Sequence, residues 1–265
     1  SNAPSTTAQT ATSVALSGVN SLATDKAENL YISDFFNNLV EKVTPAGQLS
    51  IFAGGGSTPV STTPQAATSA ALNGPTGIVM DDTGNFYISD QNIGVIEKVN
   101  SSGQIISVAG GGNTEPSTTP QPALNAEISN PAGLAVDGAG DLYIADYSND
   151  EVERVSPAGQ LTVIAGGGST IPSATAQVAT TAQFGNIEGV EVDGAGNVYI
   201  ADGQDIGNGN NMIEKVATVI APLSFPFTSV GSTSVPQPVN LTNTGNQTLT
   251  LNSVSAATDF SLQSS

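Results

Sequence analysis

The sequence predicts an all-β fold built from four tandem copies of one unit, because three signals recur at a constant interval of 56 residues. The first signal is an aspartate, found at Asp25, Asp81, Asp137 and Asp193. The second is a tyrosine followed three residues later by another aspartate, at Tyr31 and Asp34, Tyr87 and Asp90, Tyr143 and Asp146, and Tyr199 and Asp202. The third is an Ala-Gly-Gly-Gly run that begins at Ala53, Ala109 and Ala165. Four copies in register indicate a repeat protein, in which each unit buries its apolar faces against its neighbours.

Within each copy, the pattern of apolar and turn residues predicts four short strands. In the third copy they cover 133–136, 142–145, 152–155 and 160–165. The first two are joined by Asp137-Gly138-Ala139-Gly140, in which glycine supplies the positive φ that tight hairpin turns need. Short, evenly spaced strands of this kind predict an antiparallel meander, and a four-stranded meander repeated in tandem is the blade of a β-propeller. The predicted blades cover about 19–74, 75–130, 131–186 and 187–221.

Segments outside the strands complete the predicted organisation. Residues 1–18 are interpreted as the remnant of an expression tag, Ser1-Asn2-Ala3, followed by a spacer. Stretches rich in Ser, Thr, Pro and Ala connect the copies, and their Ala-rich half is expected to form a short helix between blades. From 222 onward the repeat ends, and apolar and polar residues alternate around a hairpin signal at 243–246. Residues 222–265 are therefore predicted to be the truncated start of a second β domain.

Composition excludes several classes of function. Five Lys and Arg residues against 23 Asp and Glu residues give a net charge of −18, which disfavours nucleic acid and anionic lipid as partners. No apolar stretch is long enough to cross a bilayer, so no membrane span is expected. The chain has no Cys and no His. Disulfides, thiolate sites, His-ligated metals and His general bases are therefore excluded.

The third copy, NPAGLAVDGAGDLYIADYSNDEVERVSPAGQLTVIAGGG, resembles the NHL repeat, a propeller blade motif of bacteria and animals. The resemblance covers about residues 10–220, and the spacer PQAATSAALNGPTG is similar to the linker between blades in long bacterial NHL arrays. It implies a ring of about six blades, so four copies leave open a fragment, a smaller ring or one part of an oligomer. The 222–265 segment resembles the opening strands of immunoglobulin-like modules in bacterial surface proteins. That resemblance implies an extracellular, cell-surface or periplasmic location.

Four of the five basic residues share one repeat position, each directly after a glutamate: Lys42, Lys98, Arg154 and Lys215. One interpretation is a ring of charge that holds an anionic ligand. The preferred one is a set of structural ion pairs with the aspartates at Asp34, Asp90, Asp146 and Asp202, because buried charges must be paired. The same aspartates are expected to accept hydrogen bonds from the backbone of the following turn. The repeated tyrosines are expected to pack between blades.

An insertion in the fourth copy is the candidate metal site. Residues 202–211 bring carboxylate and amide oxygens together, and calcium takes about six to eight oxygen ligands. The candidate ligands are Asp202, Asp205, Asn208 and Asn210. Only two of them are carboxylates and their spacing is not that of an EF-hand. A plain Gly/Asn loop is therefore the preferred interpretation, with no cofactor expected and calcium as the alternative.

Repetition argues against catalysis, because an active site needs residues that differ among the copies. The carboxylates outside the repeat pattern are Glu115, Glu127, Glu188 and Glu191. Of these, Glu188 and Glu191 flank the first strand of the fourth copy, near any central channel. The sequence therefore favours a non-catalytic binding or scaffold module of a secreted or cell-surface bacterial protein, whose propeller loops contact protein or glycan. The alternatives are a calcium-dependent hydrolase similar to lactonases, which hold calcium at the ring centre, and a structural spacer.

Overall fold

A computed structural model describes residues 2–173, 175–203 and 212–217. Blade 1 consists of β1 (Gln9–Thr10), β2 (Val19–Thr24), β3 (Leu30–Asp34), β4 (Leu39–Val43) and β5 (Gln48–Gly54). Blade 2 consists of β6 (Gln65–Ala66), β7 (Pro75–Met80), β8 (Phe86–Asp90), β9 (Val95–Val99) and β10 (Gln104–Gly110). Blade 3 consists of β11 (Gln121–Pro122), β12 (Pro131–Val136), β13 (Leu142–Asp146), β14 (Glu151–Val155) and β15 (Gln160–Gly166). The described part of blade 4 consists of β16 (Ile187–Val192), β17 (Val198–Asp202) and β18 (Met212–Val216).

These sheets confirm the predicted all-β propeller of four blades. All strand pairs within each sheet are antiparallel, with the order β1-β5-β4-β3-β2 in blade 1 and the corresponding order in blades 2 and 3. Each of these three sheets has a short fifth strand beyond the predicted four, because the connecting segment pairs with the outermost long strand. The described part of the chain has no helix that is long and apolar enough to cross a membrane.

The connecting segments repeat their structure as well as their composition. Each connecting segment contains one turn of 3-10 helix, which is the short helix that the Ala-rich sequence predicts. In the first three segments this turn follows the two-residue strand that pairs with the outer strand of the blade. These turns cover Ala11–Ser13, Ala67–Ser69, Ala123–Asn125 and Ala179–Thr181, and a further 3-10 turn, Gln91–Ile93, follows β8. An isolated parallel bridge then closes each connection, as between Thr58 and Ala70. The same bridge between Asn2 and Val14 shows that the first connection is folded like the later ones.

The hairpin between the first two strands of each blade is fixed by its aspartate. One Asp25 carboxylate oxygen accepts hydrogen bonds from the backbone N–H groups of Ala27 and Asn29, both at 2.9 Å. The other oxygen accepts from the Tyr31 hydroxyl at 3.0 Å. Equivalent tyrosine-to-aspartate bonds occur in the other three blades. The predicted turn role of these aspartates is therefore confirmed, and each also anchors the tyrosine of its own blade.

Apolar side chains fill the three spaces between successive blades. Tyr31 and Val40 of blade 1 pack against Ile78 and Ile88 of blade 2, and the equivalent residues repeat this cluster between blades 2 and 3 and between blades 3 and 4. Tyr31, Tyr87 and Tyr143 lie in these clusters. The predicted packing role of the tyrosines is confirmed for these three positions.

Neighbouring first strands approach one another so closely at the propeller axis that two of the three interfaces need glycine. A Cβ atom on Gly77 of β7 would overlap the carbonyl oxygen of Ala132 in β12. A Cβ atom on Gly133 would lie 2.8 Å from the Cα of Gly189 in β16, a separation that real Cβ atoms do not show. Hydrogen bonds link the blades at the same level, since the Ser33 hydroxyl donates to the Thr76 carbonyl oxygen at 2.7 Å. The first strands therefore form a rigid inner wall.

Candidate functional site

A polar hollow of about 730 Å3 lies along the inner wall of the propeller. The first strands of all four blades line it, together with the residues that follow β8 and β13. Its polar lining comprises Asn20, Ser21, Thr24, Thr76, Gln91, Tyr147, Glu188 and Glu191. The volume lies in the range of small-ligand and cofactor sites, which place a few polar groups on a rigid frame.

Two repeat positions whose residue differs among the copies contribute to this hollow. Asn20, Thr76, Ala132 and Glu188 occupy one repeat position, the second residue of each first strand. Gln91 and Tyr147 occupy another, immediately after the buried aspartate of the second strand. The turn aspartates and the repeated tyrosines described above, by contrast, are the same in all four copies. The fold therefore holds a set of unlike side chains on a frame of like ones.

The charge of the hollow comes from two glutamates on one strand. Glu188 and Glu191 of β16 both line it and both are exposed to solvent. Tyr147 lines the hollow from blade 3 and is half-buried. The sequence singled out Glu188 and Glu191 as carboxylates near a central channel, and their positions in the hollow agree with that expectation. It did not single out Tyr147 or Gln91, although both depart from the repeat at a fixed offset from the aspartate.

The predicted ion pairs between the repeated aspartates and basic residues are wrong for Lys42, Lys98 and Arg154. Strand register explains why: Lys42 pairs with Tyr31, whereas Glu41 pairs with Ile32. Because side chains alternate between the faces of a strand, Lys42 shares a face with Tyr31, and Glu41 shares the opposite face with Asp34. In the described residues the salt bridge that forms is Arg154 to Asp141, at 3.8 Å.

The basic residues instead lie over the repeated tyrosines. The ammonium groups of Lys42, Lys98 and Lys215 lie 5.5, 5.2 and 5.2 Å from the ring centroids of Tyr31, Tyr87 and Tyr199. A cation at this distance from an aromatic ring is attracted by the negative face of the ring. Each lysine also covers the tyrosine that anchors its own hairpin.

The aspartate at the end of each second strand binds the backbone that enters its own blade. Asp34 accepts a hydrogen bond from the N–H of Ser17 at 2.9 Å, and the Asn37 side chain donates to it at 2.8 Å. The residues equivalent to Ser17 donate in the same way to Asp90, Asp146 and Asp202. The expected backbone donors are therefore present. At all four aspartates one donor lies 17 residues before the aspartate, and at Asp146 the backbone of Asn149 in the following turn also donates. Sequence spacing could not indicate the earlier donor, because the connecting segment returns to the blade only in the folded chain.

A buried glutamate adjoins each of these aspartates. Glu41, Glu97 and Glu153 have no solvent-exposed surface, and their carboxyl oxygens have no hydrogen-bond partner at ordinary hydrogen-bond geometry. Each lies close enough to the neighbouring aspartate, Asp34, Asp90 or Asp146, for the charge of that aspartate to raise its pKa. Two ionised carboxylates in a buried pair repel one another, so a proton on one of them is favoured. Burial, followed by the Asp34 charge, raises the pKa of Glu41 to about 8. Burial raises the pKa values of Glu97 and Glu153 well above the usual range.

These carboxyl pairs are structural acids and not candidate catalysts. A glutamate that carries a proton is neutral, so each pair has a single negative charge, on the aspartate. The backbone N–H groups that bind the aspartate compensate this charge. Burial raises the pKa of Asp90 to about 6 despite hydrogen bonds from the Asn73 backbone that lower it. The Glu41, Glu97 and Glu153 side chains do not line the hollow.

The predicted calcium ligands lie mostly outside the described residues. Asp205, Asn208 and Asn210 fall in the 204–211 segment and are not described. Asp202 is buried, and its carboxylate accepts a hydrogen bond from the Gly185 N–H at 3.1 Å. Among the described residues, no group of three or more Asp or Glu side chains is arranged to hold a metal. The two carboxylates in the hollow therefore fall short of the oxygen-rich ligand set that calcium prefers.

No protein-family model matches the sequence, and a search of curated proteins finds no match either. The NHL resemblance therefore stays a prediction. Solved structures do share the fold. A protein of unknown function from Bacteroides thetaiotaomicron is 22% identical, with a TM-score of 0.54 over 75% of this chain and 47% of its own. An auxiliary nutrient binding protein from Bacteroides ovatus is 18% identical, with a TM-score of 0.54 over 77% of this chain and 50% of its own.

A gluconolactonase from Xanthomonas campestris also matches, at 15% identity and a TM-score of 0.49, over 70% of this chain and 56% of its own. The two similarities to Bacteroides structures agree with the class of protein that the sheets define, a β-propeller, and at such identities they describe the fold alone. The chain spans about half the length of these structures.

Proposed function

We propose that the chain is a non-catalytic binding or scaffold module of a secreted or cell-surface protein, which contacts protein or glycan through the polar hollow and its surrounding loops. The observation that carries this proposal is the gathering of unlike residues at the hollow on an otherwise repetitive frame. Asymmetric side chains on rigid strands provide specific contacts without loss of conformational entropy on binding.

The chemistry of the lining favours a ligand that is neutral or cationic. The Glu188 and Glu191 carboxylates can accept hydrogen bonds from hydroxyl or ammonium groups, and the Tyr147 ring offers an apolar face beside them. The net charge of −18 repels anions from this surface. A glycan with free hydroxyl groups and a lysine-rich protein segment both satisfy these requirements.

Calorimetric titration with a cello-oligosaccharide, a chito-oligosaccharide and a lysine-rich peptide tests this proposal. For whichever probe binds, we expect Tyr147→Ala and Glu188→Gln each to raise the Kd by about tenfold, equivalent to about 1.4 kcal/mol. Phe36→Ala and Glu127→Gln are matched controls, because both residues are exposed and neither lines the hollow. Unchanged binding in both hollow variants, or no binding of any probe by the native chain, would favour the structural spacer.

A calcium-dependent hydrolase is the alternative, and the placement of Glu188 and Glu191 in the hollow is the observation that favours it. A ligand that binds only the folded state raises the melting temperature. Thermal melts in excess calcium and in EDTA therefore separate the two functions, together with hydrolysis of glucono-δ-lactone under both conditions. Identical melts without hydrolysis are expected for a binding module. Calcium-dependent hydrolysis that is lost in Glu188→Gln would replace the proposal with the hydrolase.

A further inference from the structure

The two terminal blades expose opposite halves of the interface that is formed three times inside the chain. Each blade has a backward face, which packs on the preceding blade, and a forward face, which packs on the following blade. In blade 2 the backward face includes Leu72 and Ile78, and the forward face includes Ile96. Both faces of blades 2 and 3 are covered by neighbouring blades.

The backward face of blade 1 exposes apolar side chains that are buried in the later copies. Leu22 occupies the repeat position of Ile78, and 57% of Leu22 is exposed against 5% of Ile78. Leu16 occupies the position of Leu72, and 39% of Leu16 is exposed against 6% of Leu72. These side chains have the apolar character of the interface without the blade that would cover them.

The forward face of blade 4 shows the same contrast. Ile213 pairs across its sheet with Ala201, as Val40 pairs with Ser33 in blade 1, so Ile213 and Val40 are equivalent. Ile213 is 69% exposed, whereas the three equivalent residues Val40, Ile96 and Val152 are fully buried.

Gly189 adds a second, independent observation at the axis. Its equivalents Gly77 and Gly133 must be glycine because the first strand of the following blade lies against them, whereas the equivalent residue of blade 1 is Ser21. Of the atoms in the described part of the chain, a Cβ atom on Gly189 would contact the Cβ of Ala201 in its own blade, at 3.4 Å, and no other. Glycine weakens a strand interior unless another backbone approaches closely. Blade 4 therefore keeps the gap into which a further first strand fits.

We propose that a second copy of this chain fills both faces, with the forward face of blade 4 of one copy docked on the backward face of blade 1 of the other. The three internal interfaces show that forward and backward faces of this repeat are complementary. Among the described residues, blade 1 exposes a backward face and blade 4 a forward face. Such head-to-tail contacts close into a ring when the rotation permits and extend into a filament when it does not.

Charge sets the conditions under which this association occurs. Two copies with a net charge of −18 each repel one another, and salt screens this repulsion. We therefore expect association to strengthen as ionic strength rises, because the contact is apolar and both partners are negatively charged.

Multi-angle light scattering and sedimentation of the full chain test the proposal over a wide range of concentration and at low and high salt. We expect a dimer or a longer head-to-tail series that grows with concentration. A monomer under all these conditions would overturn the proposal, and would mean that the exposed faces are covered within the chain or meet another partner.

Two single substitutions block one face each. Gly189→Leu fills the gap at the forward face of blade 4, and Leu22→Glu places a charge on the backward face of blade 1. We expect each to weaken association by about tenfold or more. Gly194→Leu is the matched control for Gly189→Leu, since a Cβ atom on Gly194 meets nothing within 4 Å and the residue lies in a hairpin turn.

Mixing the two variants gives the decisive result. Each variant retains the face that the other lacks, so a mixture of Gly189→Leu and Leu22→Glu should form a dimer of one copy of each. A symmetric contact between identical faces would not be restored in this way. Failure of the mixture to associate when the native chain does would therefore reject the head-to-tail arrangement, and circular dichroism establishes that both variants are folded.

Discussion

The internal and terminal blades contain the same repeat but bury it differently. Ile78 and Leu22 stand at one repeat position, and Val152 and Ile213 at another, yet in each pair the first residue is buried and the second is largely exposed. The local strand is the same at each position. The comparison teaches that the repeat encodes the strand and its two apolar faces, whereas the presence of a neighbouring blade decides whether a face is buried.

This difference locates the stability of the chain in the contacts between blades. In a repeat protein, stability is approximately the sum of the units and their nearest-neighbour interfaces. Blades 2 and 3 have two such interfaces each, and blades 1 and 4 have one. Substitutions at equivalent positions should therefore have unequal effects, and the following three predictions run from the largest difference to the smallest.

The largest difference is expected between Ile96→Ala and Ile213→Ala. Ile96 is fully buried between blades 2 and 3, so its truncation leaves a cavity and should lower the free energy of unfolding by about 3 kcal/mol. Ile213 is 69% exposed, and its truncation should change that free energy by less than about 0.5 kcal/mol. Chemical denaturation of both variants, at a concentration where sedimentation shows a monomer, measures the contrast. Equal losses would show that the forward face of blade 4 is buried within the monomer.

The second comparison sets Gly77→Ala against Gly189→Ala. The new methyl group at Gly77 would overlap the Ala132 carbonyl oxygen, and forcing the inner strands apart should cost about 2 kcal/mol. At Gly189 the methyl group meets an ordinary contact at 3.4 Å, so stability should stay within about 0.5 kcal/mol of the native value. Thermal unfolding of the two monomeric variants measures this difference. A similar loss at both positions would contradict the close approach of β7 and β12.

The third prediction concerns pH and the buried glutamates of the internal blades. Burial raises the folded-state pKa values of Glu97 and Glu153 well above 4.5, so protonation stabilises the folded chain. This stabilisation is fully present below the ordinary glutamate pKa and is lost as pH rises through the raised values. The melting temperature should therefore be several degrees higher at pH 5 than at pH 8.

Glutamine substitutions isolate this effect. Glu97→Gln and Glu153→Gln keep a donor toward the neighbouring aspartate but do not titrate, so each should gain on the order of 1 kcal/mol at pH 8 and flatten the pH dependence. Glu127→Gln, at an exposed position, is the control and should keep the native slope. Below about pH 4 the stability depends on Asp193 instead. Hydrogen bonds from Asn197 lower the pKa of Asp193 to about 2, so the contribution of the ionised Asp193 to stability is lost as pH falls toward that value. A native stability that increases from pH 5 to pH 8 would contradict buried, protonated glutamates.

Much of the fold could be predicted from the sequence, because the recurring signals are local. The turn role of Asp25 depends on residues two and four positions away, and the packing of Tyr31 follows from a strand that must bury one face. The ion pair predicted between Lys42 and Asp34 does not form because their side chains point to opposite faces of the sheet, and the need to pair a charge does not tell which face a side chain occupies. The hollow was only partly predicted: Glu188 and Glu191 departed visibly from the repeat, but Tyr147 joins them only through the closeness of blades 3 and 4.

The sequence by itself determined the four copies, their strands, their hairpin turns and the negative charge, since each depends on residue types and spacings within one copy. Only the tertiary structure decided which glutamates are buried beside an aspartate, which glycines lie against another strand and which apolar faces remain exposed. The physical reason is that burial and close approach depend on atoms from other copies of the repeat. Identical local sequences therefore have different environments in the middle and at the ends of the propeller.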